Sequence, residues 1–154
     1  MTATATERLR QLGIVLPPPP RPVGSYASTV VEGGLAFVSG QIVTRDSAAV
    51  SPGQVDRDVS LDRAKELARL ATLQALSALV DKLGSIDRVR RIVRVGVYVA
   101  SSEGFVRQHE VGNGATEVLV EIFGESGRPA RAAVGVTALP LNAPVEIELL
   151  VAVS

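Results

Sequence analysis

The sequence predicts an α+β sandwich in which two helices cover one face of a mostly antiparallel β-sheet, in the order ββαβαββ. Three observations carry this. Residues 25–31, 35–41, 92–100 and two segments within 127–153 have strand composition, with β-branched side chains and period-two alternation. Residues 60–84 and about 111–123 carry apolar side chains at helical spacing. A chain of 154 residues is long enough for one domain that buries about two-thirds of its unfolded surface, and too short for two.

Taken in order, Met1 to Thr6 alternate Thr and Ala and are expected to be mobile, and a helical turn from Glu7 to Leu12 is expected to end at Gly13. Pro17 to Pro20 and Pro22 form an extended arm that reads as a stiff spacer along the body. This divides the chain into an arm, 1–23, and a domain, 24–154. Glu32-Gly33-Gly34 joins the first two strands as a hairpin. Ser39 and Gln41 break the apolar pattern at the end of the second strand, where polar residues either meet water or line a pocket. Nothing around Ser39 resembles an activated nucleophile. The stretch 42–59, rich in Gly, Pro, Ser and charge, reads equally as a pocket lid or as a solvated excursion.

Ser60 is a helix N-cap, and Leu61, Ala64, Ala68, Ala71, Ala75 and Leu79 form the inner stripe up to the stop at Gly84. In the strand 92–100, Val93, Val95, Val97 and Val99 share one face, and Ile92, Arg94, Gly96, Tyr98 and Ala100 the other. Val111, Ala115, Val118, Leu119 and Ile122 are the inner stripe of the second helix. Asn113 lies off it as a capping or surface residue, and His109 reads as exposed or locally satisfied.

The last stretch reads as two strands joined by a Pro/Asn turn. Val145, Ile147, Leu149, Val151 and Val153 form an apolar face, leaving Glu146 and Glu148 opposite. In the preceding strand Ala132, Val134 and Val136 alternate with Arg131, Ala133 and Gly135. If the apolar faces cover one core, Arg131 and the two glutamates emerge together on the other side of the sheet. Periodicity leaves two readings: a cross-strand Arg–Glu pair contributing about 0.2–1 kcal/mol, or a polar pocket within a subunit interface. The ion pair is the simpler.

Lys plus Arg equals Asp plus Glu, so formal net charge is zero and gives no global electrostatic case for a nucleic-acid or acidic-membrane partner. Cysteine is absent, which excludes disulfides, thiolate metal sites and a cysteine nucleophile. A lone histidine cannot build a multi-histidine metal site. No apolar run reaches membrane-spanning length without charges.

Pro129-Ala130-Arg131, Val145-Glu146-Ile147-Glu148, Gly24-Ser25-Tyr26, Ser39-Gly40-Gln41 and Asn113, in this order, resemble the motifs of the reactive-intermediate deaminase (Rid or YjgF-like) family. The resemblance runs from about Gly24 onward. It departs at Ala133, where the family often has cysteine, at Ser25, where it more usually has proline, and in a longer N-terminal arm. It implies a chorismate-mutase-like fold, a cytoplasmic homotrimer with pockets between subunits, and no metal or organic cofactor. It further implies hydrolysis of small enamines or imines such as 2-aminoacrylate to keto acids and ammonia. Arg131 and Glu146 are then the catalytic residues: Arg131 grips the substrate carboxylate and Glu146 directs water, while Tyr26, Ser39 and Asn113 complete the substrate-binding pocket. The alternative is a non-catalytic pocket for a small carboxylate or ketone metabolite. Endoribonuclease activity, also attached to the family, ranks third, because net charge zero and 3% aromatic residues offer neither a phosphate track nor a stacking platform.

Overall fold

The structure, a computed structural model, describes residues 3–154. Its elements are α1 (Ala5–Leu12), β1 (Thr29–Glu32), β2 (Leu35–Gln41), a small ribbon of β3 (Thr44–Arg45) and β4 (Ala48–Ala49), α2 (Leu61–Leu83), β5 (Val89–Ala100), α3 (Gln108–Phe123), β6 (Ala130–Val136) and β7 (Val145–Val153). The five long strands form one sheet in the order β1-β2-β7-β5-β6, antiparallel except for the parallel pair β5 and β6. The expected α+β class and ββαβαββ order are therefore present, with α1 and the ribbon added.

Helix α2 starts where Ser60 Oγ accepts the Arg63 amide at 3.1 Å and stops at Gly84, whose φ of 83° is left-handed. Its alanine-rich stripe, with Leu67, Leu76 and Leu79, is buried against the sheet. Helix α3 lies beside it and buries Val111, Ala115, Val118, Leu119 and Ile122. Both helices cover the face formed by Val145, Ile147, Leu149, Val151 and Val153 of β7 and by Val95, Val97 and Val99 of β5.

The last two strands do not form a hairpin. Strand β7 inserts between β2 and β5, where both of its edges are hydrogen-bonded, and β6 reaches the far side of β5 by a crossover through α3. Pairing with β5, rather than the composition of β6 itself, then sets which way β6 faces. Arg131 lies opposite Val95, Ala133 opposite Val97 and Gly135 opposite Val99, so these three share the helix side of the sheet. Ala132 and Val134 emerge on the open side, the reverse of the facing expected from their apolar character. A register irregularity between Ile92 and Arg94 likewise returns Ile92 to the core, fully buried opposite Val151, instead of leaving it beside Arg94.

In the N-terminal region the expected helical turn ending at Gly13 is present as α1, and the segment before it differs from expectation. Thr4 caps α1 in a reciprocal box with Glu7, and the Thr6 amide and hydroxyl both donate to the Asp87 carboxylate, at 2.9 and 2.8 Å. Within the expected mobile segment, Thr4 is thus a cap and Ala5 and Thr6 are helical and tied down, and Met1 and Thr2 lie outside the described residues. Further along the arm, the Pro17 and Pro20 carbonyls accept from Ser77 and Ser28.

The stretch 42–59 is anchored by its second half, while residues 44–48 and 56–58 remain exposed. After the ribbon, the Val55 amide donates to the Ala100 carbonyl at 2.8 Å, the Ser102 amide donates to the Val55 carbonyl, and the Val55 and Val59 side chains enter the core. Val55→Ala is therefore expected to lower stability by about 2 kcal/mol, read from denaturant unfolding at fixed protein concentration. A surface-loop valine gives a change within about 0.5 kcal/mol instead.

Candidate functional site

The residues singled out in the sequence fall into two groups, on opposite sides of the sheet. On the helix side, at its free edge, the Arg131 guanidinium lies along α3. Nη1 donates to Asn113 Oδ1 at 2.9 Å and to Thr116 Oγ1 at 3.2 Å, and Nη2 donates to the His109 carbonyl at 3.2 Å. It can lie that close because Gly112 has no Cβ, which would come within 3.2 Å of Nη1. All three acceptors are neutral, and Arg131 forms no ion pair among the described residues. A guanidinium has five donors, so two, including that on Nε, stay available to a ligand. Pre-aimed in this way, it suits a planar carboxylate.

On the open side, Glu146 of β7 faces Tyr98 of β5 across the ladder, and Glu148 faces Gly96. The two carboxylates have different surroundings. Glu148 Oε1 accepts from the Tyr98 hydroxyl at 2.7 Å and pairs with Arg94 Nη1 at 3.3 Å. Glu146 is half-buried and has no hydrogen-bond or ion-pair partner among the described residues. Burial first, and the Glu148 charge second, push its carboxyl above the usual glutamate range. The Tyr98 hydroxyl is raised in turn, chiefly by its hydrogen bond to Glu148.

Strand β2 brings the motif 39–41 to the same place. Its pairing with β7 is irregular between Val38 and Gln41, and a Cβ at Gly40 would lie 2.1 Å from Glu146 Oε1. Only glycine leaves the Glu146 carboxylate its position. Ser39 Oγ donates to the Ala27 carbonyl at 2.7 Å, which fastens the loop carrying the exposed Tyr26 beside the strand end. Tyr26, Ser39 and Glu146 thus belong to one half, and Arg131 and Asn113 to the other.

This corrects the expectation that Arg131 and the glutamates emerge together. The cause is the edge position of β6, which periodicity within the strand does not reveal. Asn113 is not a helix cap; it is an acceptor for Arg131. His109 is exposed, and its backbone carbonyl, not its imidazole, meets Arg131. Thr116 was missed, although His109, Asn113 and Thr116 stand at i, i+4 and i+7, the spacing of one helical face. No cluster of His, Asp or Glu among the described residues could hold a metal ion, and no helix among them is long and apolar enough to cross a membrane.

A family model described as Endoribonuclease L-PSP matches residues 18–153. Protein TCP17 of Trypanosoma cruzi is 40% identical over 144 residues, which cover 93% of this chain and 90% of that protein. A 2-iminobutanoate/2-iminopropanoate deaminase of Dermatophagoides farinae is 29% identical over 140 residues, covering 91% and 94%. Among solved structures, the protein Atu1372 of Agrobacterium tumefaciens superimposes with a TM-score of 0.86 at 36% identity, covering 97% of this chain and 92% of that one. With the match of the family model spanning nearly the whole chain, the protein belongs to the endoribonuclease L-PSP family, the Rid or YjgF-like family its motifs resemble.

Proposed function

We propose that the protein hydrolyses small imines and enamines of the 2-aminoacrylate kind to keto acids and ammonia, at sites formed between neighbouring copies of the chain in a cytoplasmic homotrimer. The observation that carries this reading is Glu146: a half-buried carboxylate without a partner, raised in pKa, on a cleared patch of sheet. Such a group is costly to a fold and useful as a base. The relative named as an imino-acid deaminase supports the same chemistry.

Arg131 holds the substrate carboxylate through its two free donors and so fixes the position of the imine carbon. Glu146 accepts a proton from water as the water oxygen bonds to that carbon and the C=N π electrons move to nitrogen. The proton then passes to nitrogen to give the carbinolamine. Its hydroxyl proton moves to the amino nitrogen, through Glu146 acting again as base and then as acid, as the C–N bond breaks, so ammonia leaves and the carbonyl forms. An enamine such as 2-aminoacrylate first moves an N–H proton to its C3 to become the imine. An imine is electrophilic enough for this sequence to need only positioning and proton transfer, which together contribute about 10²–10⁴-fold for the base.

Because Arg131 and Glu146 lie on opposite faces of one sheet, the site needs Arg131 from one copy and Glu146 from the next. The open face, with Val30, Phe37 and Val134 exposed, is the surface such a neighbour covers. The same reading treats residues 1–23 as an arm outside the site and 24–154 as the catalytic domain.

Three outcomes are expected with 2-aminoacrylate generated in situ and ammonia release as the readout. Arg131→Ala and Glu146→Gln chains should each be inactive alone. Refolded together at equal amounts, they should regain about one quarter of the parental sites if the copies assort at random, and scattering should report trimers throughout. No recovery from mixed trimers places both residues in one chain's site.

The pH profile should follow Glu146. Its base form is the active one, so kcat/KM rises with pH through a value above the usual glutamate range and levels off. Glu148→Gln removes the neighbouring charge and moves that limb to lower pH, while burial keeps it above the ordinary value. An unmoved limb assigns the titration to another group. Stability has the opposite dependence: ionised Glu146 disfavours the fold, so this residue's contribution improves as pH falls through its raised pKa.

Arg131→Lys should not restore the keto-acid binding lost in Arg131→Ala, as measured by calorimetric titration. An ammonium keeps the charge and loses both the fork and the contacts to Asn113 and Thr116. Parental affinity in the lysine variant reduces Arg131 to a charge.

A further inference from the structure

The bulge in β2 does more than clear room for Glu146. Between Val38, opposite Leu149, and Gln41, opposite Ile147, β2 holds one residue more than β7. Strict alternation from the buried Val38 would turn Gly40 inward and Gln41 out. The extra residue reverses this, leaving Gly40 exposed against Glu146 and Gln41 only 6% exposed on the helix side. A buried amide is costly unless both of its ends are paired. Gln41 Oε1 accepts from Gln74 Nε2 of α2 at 3.0 Å, and Gln41 Nε2 donates to the Ser39 carbonyl at 3.0 Å.

Ser39 carries the connection onward. Its amide donates to the Ser28 carbonyl at 2.9 Å and its hydroxyl to the Ala27 carbonyl at 2.7 Å. Those two residues follow Tyr26 directly, and Tyr26 is itself folded into a tight turn. Its amide donates to the Gly24 carbonyl at 2.9 Å, and its ring lies over Gly24, where a Cβ would be 3.5 Å from Cδ1 and Cε1. The turn that bears the ring is therefore held to the sheet through Ser39. A serine hydroxyl has one proton. Here it is spent on Ala27, so Ser39 has no donor left for a ligand.

We infer that Ser39 acts through Tyr26 rather than on the substrate, as a positioning residue, and that Gln41 and Gln74 are further positioning residues that tie this anchor to α2. The inference rests on the reading that Tyr26 belongs to the substrate pocket, and deepens it by assigning how that half of the pocket is held. An apolar residue at position 41 would fill the core as well. An amide there also links the helix to the strand carbonyl, and a fully paired buried polar link fixes one arrangement of the groups it joins.

Two measurements test it. In protein labelled with 3-fluorotyrosine, the two tyrosines give two fluorine NMR lines, and Tyr26→Phe identifies that of Tyr26. Without any substrate, Ser39→Ala, Gln41→Leu and Gln74→Leu should each shift or broaden the Tyr26 line and leave that of Tyr98 in place. Movement of both lines alike, or of neither, overturns the tether. The second measurement is a cycle of kcat/KM with 2-aminoacrylate. Ser39→Ala should lower it by up to about tenfold, the scale of one lost hydrogen bond, and Gln41→Leu by a smaller factor. In a Tyr26→Ala background both losses should vanish, because the anchor then holds nothing that the substrate meets. A Ser39→Ala loss that persists in full without the Tyr26 ring assigns Ser39 to direct substrate contact and overturns the inference. If the parent accelerates no imine, the deaminase reading fails alone, and the Tyr26 line still decides the tether.

Discussion

The placing of both halves of the candidate site depends on β7 occupying the middle of the sheet. Its alternation of buried and half-buried residues is complete from Val145 to Val153, and each of the buried side chains contributes about 1.5–3 kcal/mol by leaving water. Only a central strand can hydrogen-bond along both edges while one face lies under two helices. The consequence for chemistry is fixed by the pleat. Glu146 and Glu148 must face away from the helices, and a one-residue slip that reversed them would expose the whole apolar set.

With β7 in the middle, β6 pairs with the remaining edge of β5, and its own weakly apolar sequence adapts to that partner. The valines of β5 that face the helices carry Arg131, Ala133 and Gly135 to the same side. Arg131 avoids burial because β6 is an edge strand, with α3 ending its cover there and Gly112 leaving room for the guanidinium. The edge strand thus places a cation at the rim of the core without a desolvation cost.

This explains what was legible in the sequence. The helices were readable because caps and stripes are local: Ser60, Gly84 and the apolar positions of α2 and α3 all act as their composition suggests. The apolar face of β7 was readable for the same reason. The facing of β6 was not, because small and weakly apolar residues such as Ala132 and Val134 do not encode a side, and strand order is a property of the whole sheet. Ile92 was misplaced for a related reason, since a bulge changes the parity of a strand without leaving a mark in its period. The motif residues were identified through a resemblance, which names residues but does not supply their arrangement. Thr116 lies outside those motifs and becomes visible only once Arg131 is known to lie on α3.

The separation also removes the ion pair between Arg131 and the glutamates within one chain. Had Arg131 and Glu146 stood opposite each other on one face, the pair would have lowered the Glu146 pKa and occupied the guanidinium fork, leaving a weak base and no carboxylate receptor. Placed on opposite faces, neither neutralises the other. Arg131 is oriented by neutral acceptors alone and keeps its charge uncompensated, while Glu146, without an ion-pair partner among the described residues, keeps the raised pKa that burial and then the Glu148 charge give it. The sheet itself holds the unpaired carboxylate and the guanidinium apart within a chain, so that in the function proposed above they meet only where two chains come together.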